Sequence, residues 1–296
     1  MKRAQSALEY LTTYGWAILL IAVVLGILFK LGLFAANTFS ARAPPGSCYI
    51  SKPYGPNTTQ MLALQGLCTG ALPQYVETFG YNAFGNVPNN IIVPTNMLTL
   101  TGWGLLTYNN QGGSREDMIS IKGGGPCGMI LGYNTSGNTI MADIELSPVA
   151  NVLTGTNGAI KLNQWYFYAA TYNGVVLNLY VNGQNVGALA KSGNFAQCNA
   201  PTYIGSGTPS ESSGVQYYWY GDLADVQAYG TALTPQEVQE LYIGGIGASP
   251  TALTSLIGWW PLNGNMRDYS GDGLNAQTGG QNTIYQQSWA SAYTPP

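Results

Sequence analysis

The residues from Trp16 to Phe34 form an apolar run, WAILLIAVVLGILFKLGLF, in which Lys30 is the single charge. Polar residues do not interrupt the run at helical spacing, so a helix built from it has no face suited to the surface of a globular protein. With the preceding YLTTYG, it approaches the ~20 residues that a helix needs to cross ~30 Å of hydrocarbon. The sequence therefore predicts a helix made for lipid or for contact with other apolar helices.

The residues before this run distinguish between kinds of apolar segment. A removed secretory signal fits poorly, because Glu9 stands where a basic start is expected and Pro44 follows the A-x-A-like ARA at 41–43. A plain membrane anchor explains the apolar run and leaves the basic KRAQS and Glu9 unexplained. Since an ionised carboxylate is costly in hydrocarbon, Glu9 needs a place near the interface or a partner.

KRAQSALEYLTTYGWAILLIAVVLGILF resembles the class III signal and N-terminal helix of archaeal type IV pilin-like proteins. The resemblance implies that a prepilin peptidase cuts between Ala4 and Gln5, leaving residues 1–4 as the leader and 5–36 as the hydrophobic helix. It also implies that Glu9 lies in a filament core, where the amino group of Gln5 from an adjacent subunit neutralises it.

Composition limits the partners of the chain. Of its 296 residues only 8% are charged, none is histidine, and the formal net charge is −3. Soluble proteins usually have about 25% charged residues, so Asn, Gln, Thr, Ser and Tyr must keep this surface soluble. Such a surface suits an extracellular protein, including one in an acidic habitat. Without a basic patch, no nucleic-acid partner is expected.

Residues 37–74 are rich in Pro, Gly, Ser and Thr and are predicted to form a linker or neck. The chain has no CxxC pair, and outside the cell its cysteines are expected to form two disulfides. Spacing favours one bridge within the neck and one within the following domain, while the two other pairings remain open; the favoured bridges are Cys48–Cys68 and Cys127–Cys198.

Two sequons provide candidate glycosylation sites on an exported protein. NTT begins at Asn57 in the neck, and NTS begins at Asn134 in the following domain. The alternative for each is a polar turn without a glycan.

From about Tyr75 short β-forming runs alternate with turn residues. In NQWYFYAATYNGVVLNLYVNGQNVGAL two strands flank YNG at 172–174, and NG at 182–183 turns the chain again, as Asn-Gly does in two-residue hairpins. One short helix is predicted at TPQEVQELY, with Thr234 as N-cap and Glu237 as its capping-box partner. This pattern predicts a mainly β protein of the sandwich type.

QWYFYAATYNGVVLNLYVNGQ, YIGSG and YWYGDLADVQAYGTALTPQEVQELY are similar to the second half of a laminin G-like, concanavalin A-like jelly roll, assigned to residues 75–246. The family's opening strand carries a phrase like WPL-D/N-G-N, which here lies after the final helix in GWWPLNGNMRDYSGDGLNA, residues 258–276. The resemblance implies a circularly permuted jelly roll, in which residues 247–296 supply the WPLNG strand. A truncated second copy and a strand donated to a neighbouring subunit are the alternatives.

A calcium site is one candidate on this domain. The turn RDYSGDG carries Asp268 and Asp272, and carboxylate oxygens beside a glycine-rich turn suit calcium. Some members of the family bind calcium through this loop, with help from the strand that here reads YGDLADVQAY, which offers Asp222 or Asp225. The alternative is a polar turn in which Asp268 caps local backbone amides.

Sugar binding and sugar hydrolysis are two further candidates. Tyr217, Tyr218 or Trp219 could stack on a sugar, although such residues also fill sandwich cores. MADIELSP faintly resembles the paired-carboxylate strand of glucanases, which need two acids across the substrate. Met141 stands where that family has an essential acid, so Asp143 and Glu145 are expected to be non-catalytic.

Together these features predict a structural subunit of an archaeal type IV pilus-like filament at the cell surface. Its partners would be identical subunits, prepilin peptidase and the assembly machinery, after a precursor stage in the cytoplasmic membrane. The jelly roll would face outward and support adhesion, with surface glycans as ligands. The alternative is a membrane-anchored binding module that does not polymerise, and an anchored glycanase is a third. No enzyme activity and no required cofactor are expected.

Overall fold

The computed structural model describes residues 14–25, 47–51, 61–65, 75–94, 96–109, 114–122, 127–146, 149–156, 158–195, 199–207, 217–280 and 285–288. The chain divides into two compact units, Met1–Pro44 and Pro45–Pro296.

The first unit contains helix α1 at residues 14–25, within the helix predicted for residues 5–36. Its large apolar side chains are exposed, from 44% for Val24 to 73% for Trp16. Among the described residues, no helix combines the length and the apolar character needed to cross a bilayer. The leader, its cleavage site, Gln5 and Glu9 lie outside the described residues.

The second unit is built almost entirely from strands, with α2 at Pro235–Gly244 and a short 3-10 helix at Leu253–Ser255. The strands are β1 Ser47–Ser51, β2 Met61–Gln65, β3 Tyr75–Phe79, β4 Ala83–Ile92, β5 Leu98–Leu106, β6 Arg115–Lys122, β7 Gly128–Asn134, β8 Thr139–Leu146, β9 Val149–Thr154, β10 Trp165–Tyr172, β11 Val176–Val181, β12 Gln184–Ala190, β13 Asn199–Ile204, β14 Gly221–Tyr229, β15 Leu256–Trp260, β16 Gln277–Gly280 and β17 Tyr285–Ser288.

The described strands pair antiparallel into two large sheets and one small one. The order in the eight-stranded sheet is β12-β11-β10-β5-β14-β3-β17, and β15 also pairs with β14. The order in the seven-stranded sheet is β16-β4-β13-β6-β7-β8-β9, and β1 pairs with β2 separately. The predicted mainly β sandwich is therefore confirmed, while the predicted neck contains the β1–β2 hairpin in place of a plain linker.

The two faces of the eight-stranded sheet bury different side chains, as β10 illustrates. Tyr168 and Tyr172 belong to the core shared with the seven-stranded sheet, whereas Phe167 on the opposite parity joins a second core. Helix α2 covers that second core through Val238 and Leu241. Alternate residues of a strand point to opposite faces. β10 is therefore buried along its whole length because a core packs on each face of its sheet.

The predicted local signals of α2 and of one hairpin are confirmed. The Glu237 amide donates to Thr234 Oγ1 at 3.2 Å, and the Thr234 amide donates to Glu237 Oε2 at 2.8 Å, which forms the capping box. Asn182 and Gly183 have φ values of 50° and 74°, as a two-residue turn with two positive φ values requires. The YNG turn is longer, and Asn173 Oδ1 there accepts the amides of Val175 and Val176.

The C-terminal segment contributes to both large sheets. β15 pairs with β14, β17 with β3, and β16 with β4. Trp259 fills the second core, while Trp260 fills the core between the sheets and donates its indole N–H to the Leu274 carbonyl at 2.8 Å. The segment predicted to supply the WPLNG strand thus lies in the sandwich of its own chain, and its derivation by circular permutation stays a prediction.

Cys127 has a side chain that is 1% exposed and takes part in a disulfide. The side chains of the other three cysteines lie outside the described residues. The pairing of all four cysteines therefore stays a prediction.

Candidate functional site

Two of the three candidate sugar-stacking residues are buried in the core. Trp219 is fully buried and packs edge-on against Tyr168 at 5.8 Å between ring centroids. Tyr218 is 1% exposed, and its hydroxyl donates to Asn82 Oδ1 at 2.9 Å. The guanidinium carbon of Arg115 lies 4.0 Å from the centroid of the Tyr217 ring. Tyr218 and Trp219 therefore fill the core, as the alternative interpretation of such aromatic residues states.

The turn that carries Asp268 is organised by hydrogen bonds to its carboxylate. Oδ1 accepts the amides of Trp259 and Ser270, each at 2.9 Å. Oδ2 accepts the Leu274 amide at 2.9 Å and the Ser270 hydroxyl at 2.8 Å. This is the polar turn that the sequence offered as the alternative to calcium, whereas Asp272 is exposed on the same turn.

Asp225 lies in a buried network apart from solvent. It has a φ of 50° at a register shift in β14, and its Oδ1 accepts the indole N–H of Trp259 at 2.7 Å and the amide of Gln227 at 2.9 Å. Asp222 instead accepts the Thr78 hydroxyl at 2.5 Å. Across the described residues, no three acidic or cysteine side chains form a group that could hold a metal ion. The structure therefore does not support a calcium ligand set that joins Asp268, Asp272 and Asp225.

The two acids of MADIELSP are held in ion pairs. Asp143 Oδ2 lies 3.5 Å from Arg115 Nη1, and Glu145 Oε1 lies 2.9 Å from Lys122 Nζ. Arg115 also pairs with the buried Asp117 at 3.2 Å. The pairs of Asp143 and Glu145 connect β8 to β6 across the intervening β7 of the seven-stranded sheet, and ion pairing is the role that the geometry gives to both acids.

Three buried acids make stability depend on pH. Burial raises the pKa of Glu77, Asp117 and Asp225 to about 7, from 4.5 for Glu and 3.8 for Asp. The folded protein then keeps protons that the unfolded chain releases between about pH 4 and pH 7. The free energy of unfolding is therefore expected to be highest in acid and to fall through this window, by on the order of 1.4 kcal/mol per pKa unit.

Thermal unfolding of the full chain at pH 4, 5.5 and 7 tests this expectation, with a decrease in Tm of about 5 °C or more. Asp225→Asn is the matched variant, because an amide resembles the protonated carboxyl and does not ionise. Its Tm is expected to equal that of the unmodified chain at pH 4 and to exceed it at pH 7. A Tm that rises between pH 4 and pH 7 would contradict the prediction.

A polar pocket lies at one end of the sandwich, between the segment after β5 and the β7–β8 hairpin. Its volume is about 330 Å³, and its lining residues are Asn109, Thr135, Ser136 and Asn138. Asn109 Nδ2 donates to Asn138 Oδ1 at 2.9 Å and to the Thr135 carbonyl at 3.2 Å. Amide and hydroxyl groups thus line a cavity that lies between elements of the two large sheets.

Asn138 and Tyr133 stabilise this pocket through hydrogen bonds. Asn138 has a φ of 50°, a conformation that Asn tolerates better than most residues. Its Oδ1 accepts the Tyr133 hydroxyl at 2.7 Å. Burial, together with the nearby Glu116, raises the pKa of Tyr133 to about 12, so this hydroxyl keeps its proton at any physiological pH.

One exposed and one half-buried tyrosine form a pair at the residue before Asn109. Tyr108 directly precedes Asn109, is 57% exposed, and packs edge-on against Tyr220 at 5.7 Å between centroids. The Thr107 amide donates to the Tyr220 carbonyl at 2.9 Å, which holds the two segments together. We call the four pocket residues together with Tyr108 and Tyr220 the rim site.

The rim site was not predicted from the sequence. Its signal was the polar, aromatic stretch TYNNQGG directly after a strand, followed at a distance by NTSGN between two further strands. Both stretches look like ordinary turns in isolation. Only the pairing of strands from separate parts of the chain brings Asn109 and Asn138 within hydrogen-bonding distance.

The sequence matches the family model of the concanavalin A-like lectin/glucanases superfamily over residues 79–239, more than half of the chain. The chain therefore belongs to this superfamily, and the predicted laminin G-like, concanavalin A-like jelly roll is confirmed.

Two solved structures illustrate the shared fold. A Bacteroides ovatus protein, provisionally described as carbohydrate binding, aligns with a TM-score of 0.56 and 16% identity over 78% of this chain and 64% of that chain. A heptameric SAP-like pentraxin from Limulus polyphemus aligns with a TM-score of 0.52 and 15% identity over 74% of this chain and 97% of that chain. The match thus spans less than two thirds of the first protein. A comparison with curated proteins finds no match.

Proposed function

We propose that the jelly roll is a carbohydrate-binding module and that the rim site holds the sugar. The observation that carries the proposal is a pocket of about 330 Å³ lined by amides and hydroxyls beside an exposed tyrosine. Pockets of about 300–1,000 Å³ are typical for small ligands. Amides and hydroxyls offer both donors and acceptors to sugar hydroxyls, and Tyr108 offers a flat apolar ring to a sugar's C–H face.

The atoms of the rim site favour a neutral sugar. Its described lining consists of Asn, Thr, Ser and Tyr side chains, which carry no charge at neutral pH. The Asn109 Oδ1 atom is buried without a hydrogen-bond partner in the described part of the chain, so an additional donor there would satisfy it. A sugar hydroxyl is such a donor.

Two variants test the sugar site by removing different parts of it. Tyr108→Ala removes the exposed ring, and Asn109→Ala removes the amide at the centre of the pocket. Each is expected to weaken binding about tenfold, which is 1.4 kcal/mol. The measurement is isothermal titration of the full chain in detergent with neutral gluco-, galacto- and manno-oligosaccharides.

Val175→Ala is the control, because Val175 is 55% exposed in the turn after β10, at the end of that strand away from Trp165. It should leave affinity unchanged. Equal affinity of Tyr108→Ala, Asn109→Ala and the unmodified chain would place binding elsewhere. Failure of the unmodified chain to bind any of these sugars would contradict the proposed function.

A second role, as a filament subunit, is favoured by α1. Its apolar side chains are exposed all around, as Trp16, Ile18 and Leu20 illustrate, so lipid or other copies of the helix would cover them favourably. With the pilin-like sequence before it, α1 suits first a membrane precursor and then a filament core, with the jelly roll displayed outside the cell.

Peptide mapping of surface-sheared material tests the filament role. A filament fraction that contains this chain beginning at Gln5 or pyroglutamate would support it. Retention in the membrane with an intact Met1 would leave an anchored binding module that does not polymerise.

A further inference from the structure

We propose that Asn134 carries an N-linked glycan that covers the mouth of the rim site, so that glycosylation turns sugar binding off. This inference rests on the proposed function of the rim site. It assigns a role to the NTS sequon, whose three residues lie where β7 enters its hairpin with β8.

In the side chain of Asn134, the oxygen Oδ1 accepts a hydrogen bond and the nitrogen Nδ2 is available for glycosylation. Oδ1 accepts the Gly137 amide at 2.9 Å and thereby holds the hairpin turn. Nδ2, the atom to which a glycan is attached, donates to no group in the described residues. It is also not among the buried polar atoms without partners there. A glycan on Nδ2 therefore leaves the turn's hydrogen bond intact.

The sequon and the pocket share residues. Thr135 and Ser136, the second and third sequon residues, are two of the four that line the pocket. Successive residues at a strand end are separated by only ~3.3 Å, so a glycan of several sugars on Asn134 is long enough to extend over this lining. A multi-sugar glycan there competes with any external sugar for the same space.

The modification joins Asn134 Nδ2 to the anomeric carbon of an oligosaccharide carried on a polyisoprenyl phosphate. The bond from that carbon to the phosphate oxygen breaks, the lipid phosphate leaves with the bonding electrons, and Nδ2 loses one proton. No electron transfer takes place, so a lipid-linked glycan donor and its transferase are the only requirements.

The test compares the full chain made in the organism's own cells with the same chain made in a bacterial host that lacks N-glycosylation. Glycopeptide mass spectrometry measures occupancy of Asn134, and titration with the neutral oligosaccharide panel measures binding. The glycosylated protein is expected to bind at least about tenfold more weakly than the unglycosylated protein.

Three variants made in the organism's own cells separate the glycan from other effects. Asn134→Gln and Asn134→Asp each remove the glycan acceptor, Asn134→Asp keeps an oxygen that can accept the Gly137 amide, and both are expected to restore binding. Asn57→Gln removes the neck sequon and is expected to change nothing.

An unoccupied Asn134, or an occupied Asn134 with unchanged affinity, would overturn the inference while leaving the proposed sugar site in place. Restoration of binding by Asn57→Gln would assign the effect to the other glycan and would also overturn it. If neither form of the unmodified chain binds any sugar of the panel, the proposed function is wrong and the inference falls with it.

Discussion

A chain that ends at Ile246 is expected not to form the sandwich. It lacks β15, and with it Trp259 and Trp260, which are 1% and 0% exposed in two different cores. A buried Trp removes about 150–250 Å² from water, or roughly 4–6 kcal/mol at 25 cal/mol per Å². Two such residues match the total stability of a domain, which is about 5–15 kcal/mol. Near-UV circular dichroism and thermal unfolding measure the loss.

A chain that ends at Ser288 is the control, because it retains β15, β16 and β17. It should unfold cooperatively at the temperature of the full chain. If the chain ending at Ile246 also unfolds cooperatively within a few degrees of that temperature, the C-terminal strands are dispensable and the prediction is wrong.

The second large effect is expected for Asp268→Ala. The variant loses four hydrogen bonds to one carboxylate, which connects the Trp259 amide in β15 to Ser270 and Leu274 in the following turn. A hydrogen bond to a charged group contributes about 1.5–3 kcal/mol, and unpaired buried amides add to the cost. We expect the free energy of unfolding to fall by roughly 3–5 kcal/mol, measured by denaturant titration of the full chain.

Two variants bracket this result. Asp272→Ala changes an exposed carboxylate on the same turn and is expected to cost less than about 0.5 kcal/mol. Asp268→Asn keeps one acceptor oxygen and should be intermediate. A calcium role for the loop would appear as stabilisation of the unmodified chain by added calcium that Asp268→Ala abolishes, whereas equal stability of Asp268→Ala and Asp272→Ala would contradict the capping role.

Local features of the fold were predictable because their causes are local. The capping box of Thr234 and Glu237 needs three residues of spacing, and the turn at Asn182 and Gly183 needs two residues that accept positive φ. The sandwich class followed from many such short signals. The partners of each strand were not predictable. β3 pairs with β17, which lies at the other end of the domain in the sequence, and no local pattern encodes that contact.

The candidate site was less predictable than the fold for the same reason. Tyr218 and Tyr108 both stand in aromatic, polar stretches, yet Tyr218 is 1% and Tyr108 is 57% exposed. Their difference depends on which residues of a strand face the core, and that depends on the register with distant strands. The Asp268 turn was partly predictable, since both readings of it, calcium ligand and amide cap, were apparent from the spacing of its polar residues.

The pairing of β3 with β17 has a consequence for the order in which the protein is made. β3 is among the earliest strands synthesised and β17 is the last one described, so the eight-stranded sheet stays incomplete until nearly the whole chain has left the ribosome. Contacts so distant in sequence close slowly. The growing chain therefore exposes unpaired strand edges, which favour aggregation, until its synthesis is almost complete.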